Sequence, residues 1–267
     1  MRAPADGPVE VTLESALTAS RDSGRKLLIP YITGGIGPDW VLAVEAMAQA
    51  GADAVEVGIP FSDPVMDGPT IQQASLRALR SGATPGSILD SLLATRVWVP
   101  LVAMTYYNVV VRTGHRRFAH RLRDSGVQGA ILPDVPLEEL GDWDRAALDA
   151  GVETVLLAAP VTPDDRLGEL CRRSRGFVYG VNLMGVTGER STLAESSAVL
   201  ARRLKAVTDL PVVMGFGIST PEQAVAVAAE ADGVVIASVL MRALLDGLPP
   251  AGLGDLVSRF RAALDRG

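Results

Sequence analysis

Apolar residues in this chain fall into short unbroken runs, and longer amphipathic stretches separate them to the end of the sequence. The runs lie at 27–33, 54–59, 99–106, 129–132, 154–158, 177–181, 212–215 and 233–237. They lack a period of two, as strands do when both faces are buried. Helical patterns lie between them at 38–50, 69–81, 138–150, 163–173, 193–206 and 221–230, and several open on a proline near the first turn, where a missing N–H does no harm. Eight strand–helix units in 267 residues predict an α/β chain, a single-domain (β/α)8 TIM barrel over 1–267. An open doubly wound sheet is the alternative. It is disfavoured because the segment after the first run, Thr33-Gly-Gly-Ile-Gly-Pro38, lacks the GxGxxG spacing. Extra helices are predicted at the N-terminus (13–22, able to cover the barrel bottom), after strand two (84–95) and directly after strand eight (238–245), with a last helix at 253–264. No low-complexity segment or linker marks a second domain.

Composition narrows the chemistry. A net charge of -6 argues against nucleic acid or an anionic membrane as partner. No run of about 18 apolar residues predicts a membrane span. The first residues, MRAPADGPVEVTLE, carry acids and prolines where a signal peptide needs an apolar stretch, so a cytoplasmic protein is expected. Cys171 is the single cysteine and is expected to be structural or superficial. His115 and His120 are the two histidines and are expected to be solvated. This set leaves a zinc site short of ligands, so no metal is expected. Neither lysine, Lys26 or Lys205, falls at the carboxyl end of a strand, which argues against a Schiff base.

Against that background Glu56 stands out, because a carboxyl inside an apolar strand is costly to bury. Two readings are open. One is acid/base chemistry at a barrel mouth, with Asp67 of the following loop as a second carboxyl; the other is an internal salt bridge. Asp63, in Ser-Asp-Pro, reads as a turn former or a further loop acid. Strand seven runs into Gly215-Phe-Gly-Ile-Ser219, Ser238 stands where it would cap the short helix after strand eight, and Gly185-Val-Thr-Gly188 follows strand six. Glycines admit close backbone approach, and a helix N-terminus offers free N–H groups, so these three elements suggest a phosphate cradle. All four tyrosines, Tyr31, Tyr106, Tyr107 and Tyr179, lie near strand ends with Phe216, which suits a flat apolar ligand or plain core packing.

From about Leu13 onward the chain resembles the alpha subunit family of tryptophan synthase. The most specific match is the block from Gly51 to Gln72, GADAVEVGIPFSDPVMDGPTIQ. Met104-Thr-Tyr-Tyr-Asn108, Leu132-Pro-Asp134-Val-Pro-Leu-Glu-Glu139, Gly185-Val-Thr-Gly188 and Gly215-Phe-Gly-Ile-Ser219 support it. The resemblance implies cleavage of indole-3-glycerol phosphate to indole and glyceraldehyde 3-phosphate. It implies Glu56 as general acid/base and Asp67 as the carboxylate paired with the indole N–H. Tyr106, Tyr179, Thr187 and Phe216 would lie near the substrate, with Tyr31 where the family often has an aromatic, and Gly188, Gly217 and Ser238 would cradle the phosphate. It further implies no cofactor in this chain, and a beta subunit partner carrying pyridoxal phosphate in an α2β2 assembly. A stand-alone lyase releasing free indole, and a regulatory subunit that activates its partner, are the alternatives. The loops 60–68 and 183–193 are expected to close over substrate and bring Thr187 toward Asp67. Departures from the family pattern occur at Ile36, in a segment one residue longer than usual, and at Val109, Asn182, Met184 and Ala237.

Overall fold

The computed structural model describes residues 11–181, 190–215 and 217–267, leaving aside the side chains of 190–194. Eight parallel strands close into a barrel in chain order: β1 (Leu27–Thr33), β2 (Val55–Gly58), β3 (Leu101–Met104), β4 (Val127–Ile131), β5 (Glu153–Ala158), β6 (Val178–Val181), β7 (Val212–Gly215) and β8 (Gly233–Ile236), with β8 returning to pair with β1. The helices are α1 (Leu13–Asp22), α2 (Trp40–Gln49), α3 (Pro69–Arg80), α4 (Pro85–Leu93), α5 (Tyr107–Thr113), α6 (His115–Asp124), α7 (Gly141–Ala150), α8 (Asp164–Arg173), α9 (Arg190–Lys205), α10 (Pro221–Ala228), α11 (Ser238–Leu245) and α12 (Pro250–Leu264). This is the predicted (β/α)8 barrel, with its extra helices before β1, after α3 and after β8. No described helix is long and apolar enough to cross a membrane.

The lack of alternation in the strands has a simple origin. Leu27, Ile29, Ala54, Val102, Ile131, Val155, Val213 and Val235 fill the barrel interior, together with Leu13 and Leu17 of α1. Their neighbours in sequence, such as Leu28, Ile32, Val55 and Val57, pack outward with Met47, Leu122 and Phe260 of the helices. Both pleat faces are therefore apolar. Helix α1 plugs the bottom of the barrel as expected, and its Leu13 and Leu17 are fully buried.

Several local expectations change; for example, the helix expected at 138–150 begins at Gly141 after a short 3-10 turn over Leu137–Glu139. The third strand ends at Met104, not at 106. Tyr106 instead caps α5, and the Tyr107 N–H donates to Asp134 Oδ1 at 2.8 Å. The run Val109-Val110-Val111 is helical although β-branched, because the turn buries Val110 and ends at Gly114, whose φ of 90° also starts α6. Pro69, Pro85, Pro221 and Pro250 do stand in first helical turns, whereas Pro163 is an N-cap and Pro38 precedes the capping Asp39. His115 is half-buried, and its Nε2 lies 2.9 Å from the Tyr107 hydroxyl, so the expectation of a solvated ring holds for His120 alone. Cys171 is buried on α8.

Candidate active site at the barrel mouth

The interior positions of β2 read Ala54, Glu56, Gly58, so the strand that builds the core also aims a carboxyl into it. Glu56 is 1% exposed, and its Oε2 has no hydrogen-bond partner. Neither lysine nor arginine pairs with it among the described residues, which form no internal salt bridge to it. Burial, and next the neighbouring Asp67, push its carboxyl up to about 8.

Two tyrosines flank this carboxyl by the same device. Tyr31 on β1 pairs in register with Glu56, and Tyr179 on β6 pairs with Val213. Each ring leans along the strand direction over a glycine two residues beyond its partner. A Cβ at Gly58 would overlap the Tyr31 ring, and one at Gly215 would lie 2.5 Å from Tyr179 Cε2. Glycine at these two places makes room for a buried phenol at the mouth. The Tyr31 hydroxyl lies 3.2 Å from Thr33 Oγ1, and Thr33 is fully buried. Burial raises both phenols, and the nearby Asp67 and Glu56 carboxyls add to the effect.

Asp67 reaches the mouth from the loop between β2 and α3. The loop wraps around Tyr106. Phe61 stacks on its ring, with centroids 5.2 Å apart, and the Met66 N–H donates to its hydroxyl at 2.9 Å. Burial pushes the Asp67 carboxyl up to about 6, and a hydrogen bond from the Tyr106 hydroxyl restrains the rise. Tyr106 is thus engaged with the loop as well as facing the mouth. Asp63 stays on the exposed outer side, its carbonyl accepting the Val65 N–H at 2.9 Å, as a turn former does.

On the opposite side of the mouth, Gly217 follows β7 with φ 64° and is exposed. Helix α11 starts at Ser238 immediately after β8. Ser238 is its first helical residue and not its cap. Ala237 is the N-cap, and its carbonyl accepts from Leu240 and Met241 at 3.0 Å each. A helix start of this kind leaves N–H groups of its first turn without intrahelical partners, the feature that suits an anion. Thr187, Gly188 and Phe216, with Asn182 and Met184, lie outside the described residues, and so does the expected approach of Thr187 to Asp67. Among the described residues no group of three His, Cys, Asp or Glu could hold a metal ion.

Comparison with known proteins agrees with this geometry. The family model described as "Tryptophan synthase alpha chain" matches residues 17–250. The tryptophan synthase alpha chain of Geobacter sulfurreducens is 43% identical over 250 residues, covering 91% of this chain and 94% of that one. That of Gloeobacter violaceus is 42% identical over 253 residues, covering 92% and 90%. A structure of Mycobacterium tuberculosis tryptophan synthase superposes with a TM-score of 0.88 at 38% identity, covering 97% of this chain and 100% of the matched one. The chain belongs to the tryptophan synthase alpha chain family.

The described departures from the family pattern are absorbed by packing. Ile36 of the longer loop after β1 is 4% exposed, and the loop lies so close to α4 that a Cβ at Gly34 would sit 2.8 Å from Ile88 Cγ2. The backbone at Ala237 has a negative φ of -128°, so the left-handed conformation that favours glycine is not required there. Sequence reasoning missed Thr33. The available signal was its place two residues after Tyr31, on the same face of β1.

Proposed function

We propose that this chain is a carbon–carbon lyase that cleaves indole-3-glycerol phosphate to indole and glyceraldehyde 3-phosphate in the cytoplasm, with no cofactor of its own. The observation that carries the reading is the unequal pair of carboxyls in one mouth, Glu56 fully buried with an oxygen that lacks a partner and Asp67 half-buried on the loop beside it; burial raises the first to about 8 and the second to about 6. At neutral pH Glu56 keeps its proton and Asp67 is mostly ionised. Glu56 gives its proton to indole C3, and the ring becomes a cation whose charge rests on the nitrogen. Asp67 accepts a hydrogen bond from that N–H and stabilises the charge. The Glu56 carboxylate then takes the proton of the hydroxyl on the adjacent glycerol carbon. The C–C bond breaks, its electron pair restores the indole, and the hydroxyl carbon leaves as the aldehyde. Glu56 ends protonated, ready for the next turnover. Tyr31 and Tyr179 wall the ring, and Gly217 with the first turn at Ser238 takes the phosphate. Thr187, Gly188 and Phe216 complete these contacts by family resemblance.

Indole passes to a beta subunit that holds pyridoxal phosphate, in an α2β2 assembly; the match to a chain of Mycobacterium tuberculosis tryptophan synthase supports such a partner. The test is the steady-state rate of indole release with and without the beta subunit. A measurable rate alone that rises on adding the partner is expected. A rate indifferent to the partner makes the chain a stand-alone lyase, and no lyase activity in either case makes it a regulatory subunit.

A further inference from the structure

Helix α3 begins directly behind Asp67, with Gly68 as its N-cap and no side-chain capping bond. Ordinary helix-start chemistry therefore does not dictate how the Asp67 peptide is oriented. Two side-chain connections supply what the cap lacks. The Gln72 amide Nε2 donates back to the main-chain oxygen of Asp67 at 2.9 Å. Arg242 of α11 donates to Thr70 Oγ1 at 3.0 Å and to Gln73 Oε1 at 3.3 Å, joining the first turns of α3 to the helix whose N-terminus faces the phosphate side. Next to Arg242, the fully buried Met241 anchors α11 in the core. On the other flank of Asp67, the Met66 N–H is held by the Tyr106 hydroxyl. The peptide carrying Asp67 is thus bracketed before and after the residue, by Tyr106 and by Gln72.

We propose that Gln72 is a positioning residue for Asp67, and that Arg242 is the strut that holds α3, and with it Gln72, in register with the anion-binding end of α11. The proposal rests on the reading of Asp67 as the partner of the indole nitrogen. Neither residue touches reacting atoms. Both are exposed, so their bonds add little to global stability. Their effect lies in the fraction of molecules whose Asp67 stands where charge develops, since an interaction counts toward rate only if it is in place in the transition state.

The test uses the full chain and indole-3-glycerol phosphate. Gln72→Met keeps the length and removes the donor. We expect kcat to fall about fivefold, as the loss of one modest hydrogen bond implies, with the thermal midpoint unchanged. We also expect the acid limb of the pH–rate profile to move up, because a loosened Asp67 loses its hydroxyl partner. The titratable groups facing Asp67 are Glu56, Tyr31, Tyr106 and Tyr179, and the variant alters none of them. Arg242→Gln should act in the same direction by about twofold, being one step further removed. In an Asp67→Asn background, Gln72→Met should change nothing further. A Gln72→Met enzyme with full kcat and an unmoved acid limb overturns the proposal, and so does an equal fivefold loss in the Asp67→Asn background. If Asp67→Asn itself turns over at the wild-type rate, the failure lies in the reading of Asp67 instead.

Discussion

Asp53 and Glu56 stand three residues apart, one just before β2 and the other within it, and they are opposite solutions to burying a carboxyl. Asp53, with a side chain 7% exposed at the barrel bottom, is surrounded by donors. Its Oδ1 accepts from the Ser20 hydroxyl at 2.7 Å and Arg25 Nε at 2.9 Å, and its Oδ2 from the Leu28 N–H at 2.8 Å and Arg261 Nη1 at 3.2 Å. Glu56, at the mouth, leaves an oxygen with no partner and has a second acid as neighbour. The satisfied carboxylate is a fastener that ties α1, β1 and α12 together. The unsatisfied carboxyl holds a proton near neutrality and is available for chemistry. Asp232 repeats the first solution between β7 and β8, accepting from the Val212 N–H at 2.9 Å and from Lys205 Nζ at 2.7 Å. The bottom of this barrel satisfies its acids with donors, and the mouth leaves them to the chemistry proposed above, as the division of labour in such barrels leads one to expect.

The sharpest way to break the comparison is to remove the reactive acid. Glu56→Gln should cut turnover by about 10²–10⁴-fold or more, since one group serves both proton steps, while substrate still binds. A variant keeping a tenth of wild-type kcat in a single-turnover assay would remove Glu56 from the proposed mechanism. The fastener should answer differently. Asp53→Asn is expected to cost about 3 kcal/mol, because Arg25 and the buried Arg261 lose their buried acid partner and keep only the exposed Asp265. Urea unfolding measures this, and the folded fraction should retain its kcat. An unchanged midpoint would mean that the bottom network is not a fastener.

The last expected effect concerns pH. The folded Glu56 carboxyl titrates near 8, against an unfolded value of 4.5. Between those values the unfolded chain binds fewer protons than the folded one, so wild-type stability falls as pH rises through that window. Glu56→Gln lacks this loss. It should equal the wild type below about pH 4 and exceed it by a growing margin up to about pH 8. Unfolding curves for the pair at pH 4, 6 and 8 give the margin directly. A margin that shrinks with pH would show that Glu56 is ionised in the folded state.

How much of this was legible beforehand varies with the range of the interaction. β1 and β7, and helices α1 and α11, have the boundaries expected from the pattern, because unbroken apolar runs and amphipathic spacing are local properties. The β3–α5 junction did not, since a β-branched run turned helical under a glycine stop and a long-range bond from Asp134. Glu56 and Asp67 were recognisable as unusual, one for its place in a strand and both through the family block. What surrounds Glu56 was not. The missing cation, the phenols leaning over Gly58 and Gly215, and the loop wrapped on Tyr106 depend on contacts between residues far apart in the chain. Gly215 was expected in the phosphate cradle. It also opens space for Tyr179, a use that only the packing displays.

By itself the sequence determined the alternation of elements, the barrel that this alternation builds, and the identity of the acids aimed into it, because hydrophobic period and residue type act within a few positions. Only the tertiary structure decided which acid is ringed by donors and which keeps an oxygen without a partner. A buried carboxyl's surroundings are set by what packs against it, and for Asp53 and Glu56, three residues apart in the chain, those neighbours come from opposite ends of the barrel.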